Sequence, residues 1–426
     1  MTQGFMTLPN AGAVQLDQLT VPGCLIGVAE PLAQISLTIA DGKITDARSD
    51  AQVVDMGGAM VFPAFVDMHT HLDKGHISPR NPNRDGTFDG AINAVRADAP
   101  ANWSADDLRA RMSFSLRSAY AHGTRAIRTH LDSHAPQDSI SWPVFEEMRA
   151  VWADRIALQA ACLMSCDYVD DPANFRATAD RVAAAGGVLG MVTYPTANLA
   201  AQIDGFFAAA LDRGLAVDFH VDETMDPTVN TLRDLAQKVL DIGFTEPVVV
   251  GHLCSLSTMP EAEALHTLDL VARAGLHVVS LPMCNLYLQD RHASRTPRNR
   301  GITLVHEMKA RGINVSFSSD NTRDPFYAYG DMDMIEVMRE ATRIGHLDHA
   351  DPDWTHAFVT NPAKACGFDA PSLRPGASAD LVICKARNWT ELFARPQFDR
   401  IVLRAGEAID TTLPEYAELD PLMRTA

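Results

Sequence analysis

The stretch Val61-Phe-Pro-Ala-Phe-Val-Asp-Met-His-Thr-His71 is an apolar, strand-like run that ends in two histidines one residue apart. Alternate side chains of a strand share a face, so His69 and His71 can converge on one point. Two neutral imidazoles at a strand end are half of a metal site. An isolated His-x-His also occurs at ordinary surface strand ends, so the rest of the chain has to decide.

Working outward, further apolar runs follow at intervals: Thr124–Asp132, Ile156–Met164, Val188–Pro195, Leu215–Glu223, Val248–Cys254, His277–Cys284 and Asn314–Asn321. Helical-period segments separate them, for example Ala105–Ala121, Ala173–Ala185, Gly205–Arg213, Thr228–Ile242 and Thr303–Arg311. Eight strands alternating with helices over about 270 residues suit a (β/α)8 barrel, an α/β fold of the TIM type. A doubly wound open sheet is disfavoured, because no Gly-x-Gly-x-x-Gly follows the opening strand.

Both ends of the chain read differently. Before residue 60 short β-like pieces are punctuated by turns, with Asp41-Gly42 marking a hairpin. Two more β-like pieces, 376–384 and 401–409, lie near the C-terminus. The expected organisation is a small β-sandwich domain built from 1–60 and 371–426, bracketing a 61–370 barrel.

The 426-residue chain carries 36 Lys+Arg against 54 Asp+Glu, a formal net charge of −18. That charge repels phosphate backbones and anionic lipid, so neither nucleic acid nor membrane is expected as a partner. The Pro-Cys-x-x-Cys motif of nucleic-acid deaminases is also absent. Seven scattered cysteines without Cys-x-x-Cys spacing read as free thiols of a reducing, cytoplasmic compartment. No signal segment or membrane-length apolar run is present.

Barrel enzymes place their chemistry at the C-terminal ends of strands. Strand one ends in His69 and His71, strand five in His220 and Glu223, strand six in His252, and strand eight in Asp320. Three neutral nitrogens and a carboxylate suit one divalent ion, Zn²⁺ or Fe²⁺ with Mn²⁺ as a further candidate, with a position left open for water. His130, with the same placement on strand two, reads as supporting the barrel mouth.

His69-Thr-His71, Asp218-Phe-His-Val-Asp-Glu223, Gly251-His252 and Ser319-Asp-Asn-Thr-Arg-Asp-Pro-Phe326 resemble the amidohydrolase superfamily, specifically its cytosine deaminase-like branch. Arg128–Asp132, Leu288–Arg291, Arg300–Thr303 and Gly376–Ile383 extend the likeness over nearly the whole chain. The resemblance implies His69, His71, His220 and Asp320 as metal ligands, Glu223 as proton shuttle and His252 as the residue that orients the water. It implies hydrolytic deamination of a cytosine-like N-heterocycle, a cyclic amidine, with release of ammonia. Binuclear relatives bridge two ions with a strand-four lysine; 188–195 contains none, which favours a mononuclear site. The family often forms oligomers, so a homo-oligomer is possible.

The resemblance also bears on the substrate pocket. Cytosine deaminases have a second acid after the strand-eight aspartate; this chain has Asn321, which points away from plain cytosine. Ser165 stands roughly where those enzymes present a glutamine, while Gln289, Phe326 and Lys74 complete the candidate substrate contacts. Lys74 reads either as a loop lysine in solvent or as one that reaches the site. The His69–Lys74 pattern also resembles triazine amidohydrolases that release an alkylamine (N-isopropylammelide hydrolase-like), but those relatives lack a glutamate at the position of Glu223. A non-catalytic scaffold relative would be expected to have lost ligands, and none is lost here. The connections 74–90 and 291–300 are expected to roof the pocket. The arginines at 291, 295, 298 and 300 either pair with neighbouring acids or meet an anionic substituent.

Overall fold

The computed structural model describes residues 4–9, 12–349 and 351–423. Its centre holds eight parallel strands: β1 (Phe65–Thr70), β2 (Thr124–Asp132), β3 (Ala157–Leu163), β4 (Leu189–Thr193), β5 (Val217–Val221), β6 (Val248–His252), β7 (His277–Ser280) and β8 (Asn314–Phe317). β1 to β3 form one parallel sheet and β4 to β8 another, each in chain order. Single parallel bridges cross both seams: Ala161 with Val188 and Ser165 with Val192 on one side, Thr70 with Asp320 on the other. Every residue of β1, β5 and β6 is buried, as expected for strands covered on both faces.

Helices fill the connections, including Ala105–His122, Pro172–Ala184, Leu199–Arg213 and Thr231–Ile242. Their limits follow local chemistry. Ser104 accepts a hydrogen bond from Asp107 N, and the helix it caps ends at Gly123, whose left-handed backbone a side chain would resist. The helix expected from Thr228 starts at Thr231, because Asn230 is its cap.

The opening stretch is two strands rather than one. Met60–Pro63 pairs antiparallel with Leu381–Cys384, whereas β1 starts at Phe65 and pairs parallel with β2. Pro63 has no N–H to give a ladder, so the apolar run changes sheets at Ala64. The first roof connection is also shorter than expected. Thr87 accepts a hydrogen bond from Gly90 N and starts a helix over Phe88–Asn102.

Met60–Pro63 belongs to an eight-stranded sheet drawn from both chain ends, in the order 407–408, 401–404, 381–384, 60–63, 14–22, 32–40, 43–45, with 52–55 on 14–22. The Asp41-Gly42 hairpin is present, both residues having positive φ. Leu16, Leu19, Val21, Val61, Leu381 and Leu403 pack in an apolar cluster distinct from the main core. Among the described residues no helix is long and apolar enough to cross a membrane.

Candidate active site

Three of the strand ends that carry candidate residues are held in unusual backbone conformations. Asp222, His252 and Asp320 have φ of 49°, 74° and 61°, the left-handed region that non-glycine residues seldom occupy. Each turn is pinned by side chains. Asp222 accepts from Thr231 N (3.0 Å), Thr231 Oγ1 (2.6 Å) and Leu232 N (3.1 Å), placing its charge at a helix N-terminus. Asp67, two residues before His69, accepts from Ser319 N (3.1 Å) and Ser319 Oγ (2.5 Å). Asp320 N donates to His69 O at 2.9 Å, so β1 and the turn after β8 are stitched on both sides of the metal candidates.

This scaffold brings the four expected ligands together. His69 Nε2 lies 3.1 Å from His220 Nε2, and His220 Nε2 lies 3.3 Å from His71 Nε2. Asp320 Oδ1 is 3.5 Å from His69 Nε2 and 3.2 Å from His71 Nε2. Ligands about 2.0–2.1 Å from a tetrahedral ion stand about 3.3–3.4 Å apart, and these four separations are of that size. Burial holds all three imidazoles well below their ordinary pKa, leaving them neutral and able to ligate. Burial pushes the Asp320 carboxyl up to about 8, and among the described residues only the weakly donating Cys284 thiol is placed to bond to it. A buried carboxylate in that position needs a cation, so the cluster fits a metal site.

His130, expected as support at the mouth, lies within the imidazole cluster itself. It is fully buried, its ring 4.1 Å from that of His69, and its ligand atom joins those of His69, His71 and His220 within 4.8 Å. Its Nε2 is 3.2 Å from Asp218 Oδ1, and Arg128 Nη1 donates to Asp218 Oδ2 at 2.8 Å. Arg128 and His130, like Asp218 and His220, alternate on their strands, so an ion pair lies one layer beneath the imidazoles.

Glu223 and His252 stand side by side, Glu223 Oε1 being 3.4 Å from His252 Nδ1. Burial, reinforced by Asp320, raises the Glu223 carboxyl well above its ordinary value, while burial lowers His252 to about 3. The pair therefore has a carboxylate with high proton affinity next to a neutral imidazole. Asn285, absent from the sequence reading, links them: its Nδ2 is 3.3 Å from Glu223 Oε1 and 3.0 Å from His252 Nδ1. It sits on Pro282–Leu288, the short helix after β7. No residue at the end of β7 had been singled out, and that missing strand end was the available signal.

The substrate-contact candidates are placed unevenly. Lys74 is buried, with Nζ donating to Asp132 Oδ1 at 2.8 Å and lying 5.5 Å from the Phe326 ring centroid. The solvent reading of Lys74 is therefore corrected: Asp132 and nearby Asp73 offset its desolvation. Asn321 is buried and spends Nδ2 on Asp324 Oδ2 at 2.7 Å, with Cys284 Sγ 3.5 Å from its Oδ1. Gln289 Nε2 donates to the Glu223 backbone carbonyl at 3.2 Å, so its amide is engaged by the Glu223 backbone rather than standing free. Ser165 is half-buried at the mouth, 3.5 Å from His134 Nε2.

The arginine cluster lies to one side. Arg295 pairs with Asp290 at 2.6 Å, Arg300 Nη1 donates to Ile344 O at 2.6 Å, and Arg291 stacks 4.3 Å over Tyr287. Arg291 and Arg295 line a cavity of about 510 Å³ with Met283, Tyr287, Tyr327 and Glu336, and none of the four clustered ligands borders it.

The chain is similar to known proteins. The model described as "Amidohydrolase family" matches residues 52–160 and 170–407. A pterin deaminase of Rhizobium rhizogenes strain K84 is 51% identical, the match covering 99% of this chain and 100% of that protein. The N-isopropylammelide isopropyl amidohydrolase of Pseudomonas sp. strain ADP is 23% identical over 78% of this chain and 81% of its own length. A crystal structure of 5-methylcytosine deaminase from Klebsiella pneumoniae liganded with 5-fluorocytosine superposes with a TM-score of 0.80 at 23% identity. It covers 95% of this chain and 98% of that one, which is a likeness of fold. With the family model spanning most of its length and a half-identical relative spanning nearly all of it, this chain belongs to the amidohydrolase family.

Proposed function

We propose that this protein is a metal-dependent hydrolytic deaminase whose substrate is a fused-ring amino-oxo heterocycle of the pterin type. The observation that carries the reaction class is the contact of Glu223 with His252 at 3.4 Å, beside the converging side chains of His69, His71, His220 and Asp320. The ring is narrowed by the full-length likeness to a protein named pterin deaminase, and Asn321 in place of a second acid supports a ring other than cytosine.

In this reading the eight parallel strands form a (β/α)8 barrel around the site, and the sheet from 1–60 and 371–426 is a separate small domain. His69, His71, His220 and Asp320 would hold one divalent ion, Zn²⁺, Fe²⁺ or Mn²⁺; β4 carries no lysine to bridge a second. Such an ion lowers the pKa of water toward neutrality. Glu223 takes the proton of the attacking water and passes it to the ring nitrogen beside the amine-bearing carbon. It then takes the proton of the newly added hydroxyl and gives it to the amine, so that the C–N bond breaks, ammonia leaves and a ring carbonyl forms. His252 donates a hydrogen bond to the attacking oxygen. Phe326 supplies a flat wall, Lys74 a fixed cation, and Asn321 and Ser165 the polar edge, while Gln289 keeps Glu223 in place. The free, mostly buried cysteines support a cytoplasmic setting.

The test is an ammonia-release screen with the Zn²⁺, Fe²⁺ and Mn²⁺ forms on pterin, cytosine, isoguanine and creatinine, with N-isopropylammelide followed for amine release. Pterin should be turned over best. Amine release from N-isopropylammelide with no ammonia from any amino-heterocycle would replace this reading with the alkylamine hydrolase. Turnover indifferent to chelation would remove the metal from it.

A further inference from the structure

The atom of Asn285 that faces Glu223 Oε1 also faces His252 Nδ1, at 3.3 Å and 3.0 Å. Asn285 Nδ2 donates to Glu223 Oε1, and an amide nitrogen carries two hydrogens and no lone pair with which to accept. One hydrogen goes to Glu223; the other goes to His252 Nδ1, which must then be an unprotonated acceptor. A neutral imidazole has one N–H, so the proton of His252 is on Nε2. That Nε2 is buried and has no hydrogen-bond partner among the described residues, which leaves its N–H free for the reacting centre.

The scaffold supports the constraint from both sides. Asn285 is buried and sits within the first turn of Pro282–Leu288, where its backbone N–H bonds to Leu281 O at 3.0 Å and its carbonyl accepts from Gln289 N at 2.8 Å. His252 is buried with the rings of His69 and His220 at 5.4 and 5.0 Å, so its ring has little room to reorient. The same helix places Gln289 on the Glu223 carbonyl, so one short element fixes both the carboxylate and the imidazole.

We propose that Asn285 is a positioning residue for deamination: it selects the Nε2–H tautomer of His252 and holds the Glu223 carboxylate beside it, so that a donor and a proton acceptor meet the reacting carbon together. This rests on the deaminase reading above. In the opposite tautomer His252 would present a lone pair to the attacking oxygen and repel it. Without the amide, Glu223 would lose a charge-assisted hydrogen bond and its fixed orientation.

The experiment compares wild type with Asn285→Leu, a near-isostere that cannot donate, and Asn285→Asp, whose shared proton with Glu223 would make the new oxygen accept from His252 Nδ1–H. Zinc-loaded proteins carrying ¹⁵N-histidine are examined by NMR for the His252 tautomer, alongside metal content, kcat and KM. Wild type should show Nδ1 unprotonated, and Asn285→Asp should show it protonated. kcat should fall about 10-fold in Asn285→Leu and about 10²-fold in Asn285→Asp, with KM and zinc content little changed. A wild-type His252 protonated at Nδ1, or kcat within threefold in both variants, overturns the proposal. So does a loss of zinc in proportion to activity, which marks a structural role. If wild type deaminates no heterocycle, the functional reading fails while the tautomer measurement still decides the part played by Asn285.

Discussion

The strand ends carrying His69, His71, His220 and Asp320 are fully buried and joined by backbone bonds, as from Asp320 N to His69 O. The connections expected to roof them are assembled in another way. Residues 76–87 and 290–301 hang on contacts such as Arg80 with Asp98 (2.8 Å) and Asp107 (2.5 Å), Asn83 Nδ2 with Pro325 O (3.1 Å), and Arg291 over Tyr287. A rigid floor suits ligands, whose distances must be right to tenths of an ångström, while a roof held by polar contacts can open for a substrate.

The comparison can be broken most sharply at the floor. His220→Ala should remove bound metal and lower kcat/KM by about 10⁴-fold or more, because it deletes one of the four converging side chains of a buried site. Metal analysis beside the turnover assay checks this; a variant that keeps its metal and a tenth of its activity would show the cluster is not the reacting centre. Glu223→Gln should keep the metal and lower kcat by about 10²–10⁴-fold, since the amide cannot carry a proton.

The root of the roof should show itself in acid. His76 is buried against Ser115, and burial, helped by Arg323 and Arg111, lowers it to about 3. Folding therefore excludes a proton that the unfolded chain binds below its ordinary pKa of about 6.5. Stability is complete above that value and declines as pH falls from about 6.5 toward 3. Between pH 7 and 5 His76 should cost about 2 kcal/mol, and denaturant unfolding of His76→Leu should lose that much of the pH dependence. The smallest effect is expected at the edge: Arg291→Ala should change kcat/KM by no more than about threefold, because Arg291 faces the side cavity. A tenfold rise in KM for an anionic substrate alone would bring that cavity into the site. Gly86→Ala should disturb the roof more, since a Cβ there would lie 2.1 Å from Arg291 Nε on a backbone with φ of +74°.

The difference between floor and roof also explains what the sequence made legible. Strand alternation is a local rule, so His69 with His71, and Asp218 with His220, could be assigned to shared faces before any fold was known. The seam at Ala64 was hidden, because one apolar run feeds two sheets and only long-range pairing with Leu381–Cys384 shows the change. Lys74 was equally opaque: its burial depends on Asp132, about sixty residues away on β2 and brought close only by the sheet. Asn285 carries no charge and no motif of its own, and it matters because two other strands deliver Glu223 and His252 to its amide.

The central claim is that one ion at His69, His71, His220 and Asp320 powers deamination of a pterin-type ring. The most direct measurement is a titration of Zn²⁺ into chelated protein while ammonia release from pterin is followed. Activity should rise linearly from zero and break at one ion per chain. A break at two ions, or ammonia release that ignores the metal altogether, would contradict the account.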